Sequence, residues 1–306
     1  MTQTYINARK FIYKNARPLD LAIFKYHFEE GTQESVLEVL SFYQNEDGGF
    51  SGSINPNISN PKSTPAQTYE AVKILHDISY TNRNHPIIKG ILRYLESGDG
   101  FDGKVWAYSV PSNNDSPCAH WWSFRDNDAR NSSYAPSAAL AGFILRFADK
   151  QSSLFRLGRR VAKEAFAHLM SSPVTSDSYL ILSYMHLVNS LTRAGEYDII
   201  DIPSLVAKLK ICIGEALTVE PSEWLREGAV RPSLFIKNRN DPFYAEIRGL
   251  AEYECDFLIS NQNEDGSFPL SAVWMSYPEQ WAISSHIWMS SITIKCLKYL
   301  KNFERL

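Results

Sequence analysis

Apolar positions recur along most of the chain at helical spacing, and they come in two kinds. In "TQESVLEVLSFYQ", Val36, Val39, Leu40 and Tyr43 follow the i, i+3, i+4, i+7 rhythm of a helix with one buried face, and Thr32 and Ser35 are N-cap types. The next segment, "TPAQTYEAVKILHDI" (64–78), opens on Thr-Pro and is apolar around much more of its circumference, as a helix covered on several sides must be. An outer helix followed by an inner one is thus predicted, and the couple recurs. Residues 84–97 pair with 134–148, 152–170 with 176–192, and 244–262 with 284–300. Residues 17–30 supply a further inner-type helix, and 201–218 a further helix between the last two pairs.

Connection lengths add a direction. The outer-to-inner connections span about 45–63, 98–133 and 263–283, whereas inner-to-outer ones such as 79–86 and 149–152 are short. Long connections in compact domains usually carry function. In alternating outer and inner helices all connections of one sense emerge on one side, so the working face is expected there.

Composition narrows the classes. The 306 residues are 44% hydrophobic, 21% charged and 13% aromatic, enough for a large core, and a net charge of −3 without basic runs gives no footprint for nucleic acid or an anionic membrane. No apolar run reaches spanning length and the opening "MTQTYINARKF" lacks the apolar centre of a signal peptide, so a cytoplasmic location is expected. Cys118, Cys212, Cys255 and Cys296 are far apart with no CxxC, the pattern of reduced, mostly buried thiols.

The strongest local signal is a near-duplication: "LSFYQNEDGGF" (40–50) and "LISNQNEDGSF" (258–268). A Gln at the end of an outer helix can bond free backbone groups, Gly permits the positive φ that reverses the chain, and Phe pins the loop on the core. On this reading Gln44, Gln262, Asp47 and Asp265 are architectural. "GILRYLESGDGFDGKVW" (90–106) is a weaker third copy. These stretches resemble the QW-type repeats of terpenoid cyclases and protein prenyltransferases. Together with "NARPLDLA", "NPKSTPAQT" and "CAHWW" the chain looks like small bacterial toroid proteins of that superfamily. The resemblance implies one all-α domain over 1–306, an (α/α) toroid of five or six pairs around a central cavity, and an isoprenoid or other apolar small-molecule substrate.

Candidate chemistry falls in the long loops. "FRDNDARNSSYAP" places Asp126 and Asp128 just before an inner helix, roughly where the cyclase acid of a DxDD motif falls, although the chain has no adjacent aspartates. With His120 and Arg125 beside them, they are expected to share a proton and initiate cyclisation without cofactor or metal. Trp106, Trp121, Trp122, Trp274, Tyr277, Trp281 and Trp288 are expected to line the cavity, with His286 on the last inner helix and Asn57 where the look-alike group often has an acid. Glu279 opposite Asp126 or Asp128 also suits hydrolysis or elimination on a glycan. A non-catalytic ring that binds lipid or protein is the third reading. Zinc held by Asp115, Cys118, His120 and His286 is disfavoured because the Asp-x-Cys spacing is missing. No P-loop, dinucleotide fingerprint or G-x-S-x-G elbow is present.

Overall fold

The computed structural model describes residues 2–271, 274 and 276–306. Over those residues the fold is all-helical: α1 (Gln3–Asn15), α2 (Pro18–Phe28), α3 (Gln33–Ser41), α4 (Pro65–Asp77), α5 (Pro86–Ser97), α6 (Ser137–Phe147), α7 (Ser153–Ser171), α8 (Ser178–Ala194), α9 (Ile202–Ala216), α10 (Tyr244–Ser260) and α11 (Pro278–Asn302). Among the described residues no helix is long and apolar enough to cross a membrane. The chain divides into two compact units, one made of residues 1–39 and 216–306, the other of residues 40–215.

The continuous unit is built on α6, of which every residue is buried. Its run of small residues, "SAALAG", lets α7 and α8 pack closely on two sides, and α4 and α5 also touch it. This burial on all sides agrees with the all-round apolarity of its sequence. The discontinuous unit is organised on α11, which touches α1, α2 and α10. Here Glu254 of α10 is fully buried, its carboxylate accepting from the Ser233 N–H (2.7 Å) and hydroxyl (2.5 Å) with Arg231 at 3.4 Å.

The duplicated stretch performs the same task in both units. Gln44 Nε2 donates to Gly48 O (2.9 Å) and to Ile87 O (3.1 Å), the second residue of α5. Gln262 Nε2 donates to Gly266 O (3.0 Å) and to Thr4 O (2.9 Å), the second residue of α1. Gly48 (φ +93°) and Gly266 (φ +92°) lie with their backbones against those helices: a Cβ on either would stand 2.1 Å from Gly90 O or 2.2 Å from Asn7 O. Asp47 and Asp265 each close the turn by accepting the N–H two residues on, at 2.8 and 2.9 Å. Then Phe50 N–H donates to Thr68 Oγ1 of α4 and Phe268 N–H to Thr293 Oγ1 of α11, both at 3.2 Å. The weaker third copy keeps this last step, because Trp106 N–H donates to Ser137 Oγ of α6 at 2.7 Å.

Two elements differ from the sequence expectation. The polar opening contains α1, whose Tyr5, Ala8, Phe11 and Ile12 are buried at intervals of three, three and one, so a narrow apolar stripe suffices once the Gln262 turn and α11 cover it. And α11 begins at Pro278 rather than 284, taking Glu279 and Trp281 out of the preceding loop, with Pro in the N1 position that suits it.

Candidate functional site

Chemistry-bearing side chains gather in the continuous unit, on facing stretches of α4 and α8. Thr64 caps α4, accepting the Gln67 N–H at 3.1 Å, and Asp177 caps α8, accepting from Tyr179 (2.9 Å) and Leu180 (3.1 Å). These caps set the rotation of both helices. Tyr69 and His76 on α4, and Tyr179 and His186 on α8, then stand two turns apart on each. The Tyr69 hydroxyl is hydrogen-bonded to His186 Nδ1 at 2.8 Å, and the His186 ring stacks on that of His76 with centroids 4.9 Å apart and planes 7° from parallel. His76 is itself oriented by Asn189 Oδ1 (3.3 Å) and the Ser190 hydroxyl (3.2 Å). Lys73 pairs with Glu70 at 2.6 Å and lies over the Tyr69 and Tyr179 rings, at 5.2 and 5.7 Å.

The loop between α5 and α6 brings an aromatic wall to this pair. Trp122 stacks on Tyr108 (4.7 Å, 15°), and both meet Tyr179 edge-on at 5.5 Å, as does Tyr69. Asn113, buried, fixes Trp122 by donating to its carbonyl (3.0 Å), and Asn60 donates to Asn113 Oδ1 (2.9 Å). Two long loops are thereby locked together, a join completed by Ser59 N–H to Pro117 O and Ala119 N–H to Asn57 O, each 3.0 Å. Burial raises the Tyr69 and Tyr179 hydroxyls well above the ordinary phenol value, and Glu70 adds to both. Burial also pushes Tyr108 up to about 12, with Arg130 opposing. All three are therefore neutral donors at physiological pH. The Tyr179 hydroxyl oxygen is buried without a hydrogen-bond partner among the described residues.

The expected acid pair is arranged differently. Asp128 accepts from Arg130 Nε at 3.0 Å, Arg130 Nη2 at 2.5 Å and the Arg130 N–H at 2.9 Å, and these hydrogen bonds hold its carboxyl down at about 2. It is a firmly ionised cap and not a proton donor. Arg130 continues to Trp121 O (3.0 Å) and lies over the Tyr108 ring at 4.8 Å. Asp126, Arg125 and His120 are exposed, His120 resting edge-on against Trp121. A shared proton in a water-poor pocket is not what these residues form, because three donors claim one carboxylate and water reaches the other.

Of the expected wall, Trp122 belongs to the cluster and Trp121 is half-buried beside it. Trp106 is instead the buried pin of the third repeat copy, and Asn57 contributes its backbone carbonyl to the loop join. The remaining candidates lie in the discontinuous unit. There Trp274, buried, meets Trp281 at 5.8 Å, Trp288 lies under Lys295 at 5.2 Å, and Tyr277, Glu279 and His286 are exposed. Tyr69, Tyr108, Tyr179, His186 and Arg130 were not singled out in the sequence. The legible signal was the seven-residue spacing of Tyr and His shared by the segments 64–78 and 176–192. Compared with family models, curated proteins and solved structures, the chain matches none.

Proposed function

We propose that the chain is an enzyme of the isomerase or lyase kind acting on an apolar, isoprenoid-like molecule that carries an oxygen function. Tyr69 and His186 move the proton, and Trp122, Tyr108 and Tyr179 hold the apolar body. The observation that carries this reading is the 2.8 Å phenol–imidazole hydrogen bond set directly against the aromatic wall. Proton-initiated cyclisation needs an acid strong enough to protonate an alkene. Asp128 is ionised and Asp126 is in water, and a phenol–imidazole couple is a mild acid–base pair suited to taking a proton beside an oxygen function and returning it elsewhere. The unpartnered Tyr179 hydroxyl is a ready donor to that oxygen. The recurrent clasp and the alternation of covered and half-covered helices in each unit support helical pairing of the (α/α) toroid type.

Mass spectrometry of molecules that copurify with the protein, followed by incubation with prenyl alcohols, aldehydes and diphosphates, tests the proposal. Tyr69→Phe and His186→Gln are expected to lower turnover by roughly 100-fold or more, and Asp128→Asn much less. The neutralised Asp128–Arg130 pair favours a second reading, a binding protein without turnover. A bound apolar ligand that no variant transforms would decide for it.

A further inference from the structure

Away from the aromatic cluster, the turn that ends α4 collects three arginines. The helix closes with Tyr80 N–H on Leu75 O (2.9 Å) and Ser79 N–H on His76 O (3.1 Å), leaving Ser79 at φ +54°, where glycine is the usual residue. Arg146, in the last turn of α6, donates Nη2 to Tyr80 O at 2.6 Å; Arg83 donates Nη2 to Arg146 O at 3.0 Å; and Arg193, in the last turn of α8, donates Nη2 to the Ser79 hydroxyl at 3.3 Å. Arg146 and Arg193 thus meet at residues 79 and 80, and Arg83 reaches back from the same turn to the end of α6.

The charges are unanswered. Among the described residues none of the three forms an ion pair. Of the acids close to this turn in sequence, Glu196 pairs with Lys150, Asp149 accepts the Gln151 N–H at 2.9 Å, and Asp77, two residues before Ser79, has interactions of its own. Arg146 is only 8% exposed, while Arg83 and Arg193 are exposed. Helix C-termini attract cations, which explains arginines in the last turns of α6 and α8. It does not explain a guanidinium buried beside a second one and, among the described residues, in no ion pair, with the Phe147 ring at 4.7 Å and the Tyr80 carbonyl against it, an arrangement that an anion would complete. Among the described residues each guanidinium donates through one nitrogen, and the other N–H groups of its planar fork have the geometry that matches tetrahedral oxyanions. Burial, and then Arg193, lower the Arg146 guanidinium to about 10, which still leaves it charged at neutral pH.

We propose that Arg83, Arg146 and Arg193 form a binding site for a phosphoryl oxyanion, either free phosphate or the phosphoryl group of an organic ligand, at the turn between α4 and α5. The site shares no side chain with the Tyr69–His186 pair, so its fate and that of the proposed activity are read by different variants.

Calorimetric titration of the full chain at low ionic strength with inorganic phosphate, and separately with phenyl phosphate, tests it. Wild type is expected to bind one equivalent saturably. Arg83→Gln and Arg193→Gln should each weaken binding at least tenfold, and Arg226→Gln, in the other unit, should leave it unchanged. Phenyl phosphate binding more tightly than phosphate identifies an organic ligand, and equal binding identifies the free ion. Arg146→Met is expected to abolish binding, but because it is buried the two exposed arginines carry the decision. No saturable binding by wild type, or a double variant Arg83→Gln/Arg193→Gln that binds as wild type does, would overturn the proposal.

Discussion

Replacing Tyr69 by Phe removes one oxygen and leaves His186 Nδ1 without its phenol. A structural hydrogen bond of this kind contributes about 1 kcal/mol, rising to 1–3 kcal/mol where the remaining partner is buried. Tyr69→Phe should therefore shift the denaturation midpoint modestly while abolishing most turnover. Loss of stability alone, with turnover intact, would show the pair to be core. At Gly48 the expectation is purely structural. Alanine there meets both a left-handed backbone, costing about 1–3 kcal/mol, and Gly90 O at 2.1 Å, so Gly48→Ala should exceed the backbone cost alone in urea unfolding. Asp128 offers a pH readout. Its carboxyl is held near 2, below the ordinary value of 3.8, so its tie to Arg130 contributes stability fully present above pH 3.8 and lost as the pH falls through about 2. Intrinsic tryptophan fluorescence, to which Trp121 beside Arg130 contributes, should show a transition there in wild type that is missing in Asp128→Asn. The single-residue features that were legible beforehand were those with turn chemistry, such as Gly48, Asp47 and Thr64. Tyr69 and Tyr179 were not, because one tyrosine on an apolar helix face looks the same whether it packs or works.

At the scale of elements, apolar periodicity located ten of the helices, and the Thr64, Pro65 and Thr32 signals fell at real ends. It missed α1, whose buried stripe is four residues wide in a polar sequence, since what covers that stripe comes from the far end of the chain. The aromatic residues outside that periodicity, Trp106 among them, were expected to line a cavity. Placed against Phe50 and Phe268, Trp106 is the third aromatic whose N–H is held by a hydroxyl of a following helix, a correspondence that becomes visible only when the hydroxyls Thr68, Ser137 and Thr293 are seen opposite. Those hydroxyls make an element-level prediction. Thr68→Val, Ser137→Ala and Thr293→Val each leave a buried backbone N–H unpaired, and each should cost about 1–3 kcal/mol by chemical denaturation, of similar size in all three if the copies are equivalent.

For the whole molecule, the repeated stretch correctly tied distant parts of the sequence to one construction, but the split into a continuous and a discontinuous unit was not readable from it. That split depends on which helix receives each clasp, and Gln262 reaches back to Thr4. Deleting residues 2–15 should therefore destabilise the discontinuous unit while sparing α4 to α9. Hydrogen exchange would show protection lost in α10 and α11 and kept in α6; uniform loss would mean the units unfold as one. The same discontinuity has a consequence for synthesis. Residues 40–215 can fold as they emerge, but α1 and α2 must wait for α11, with Ile12, Leu19 and Phe24 uncovered meanwhile. At ribosomal speeds of about 5–20 residues per second the wait lasts roughly 13–50 s, long enough for the apolar surface of α1 and α2 to need a chaperone until α11 is made.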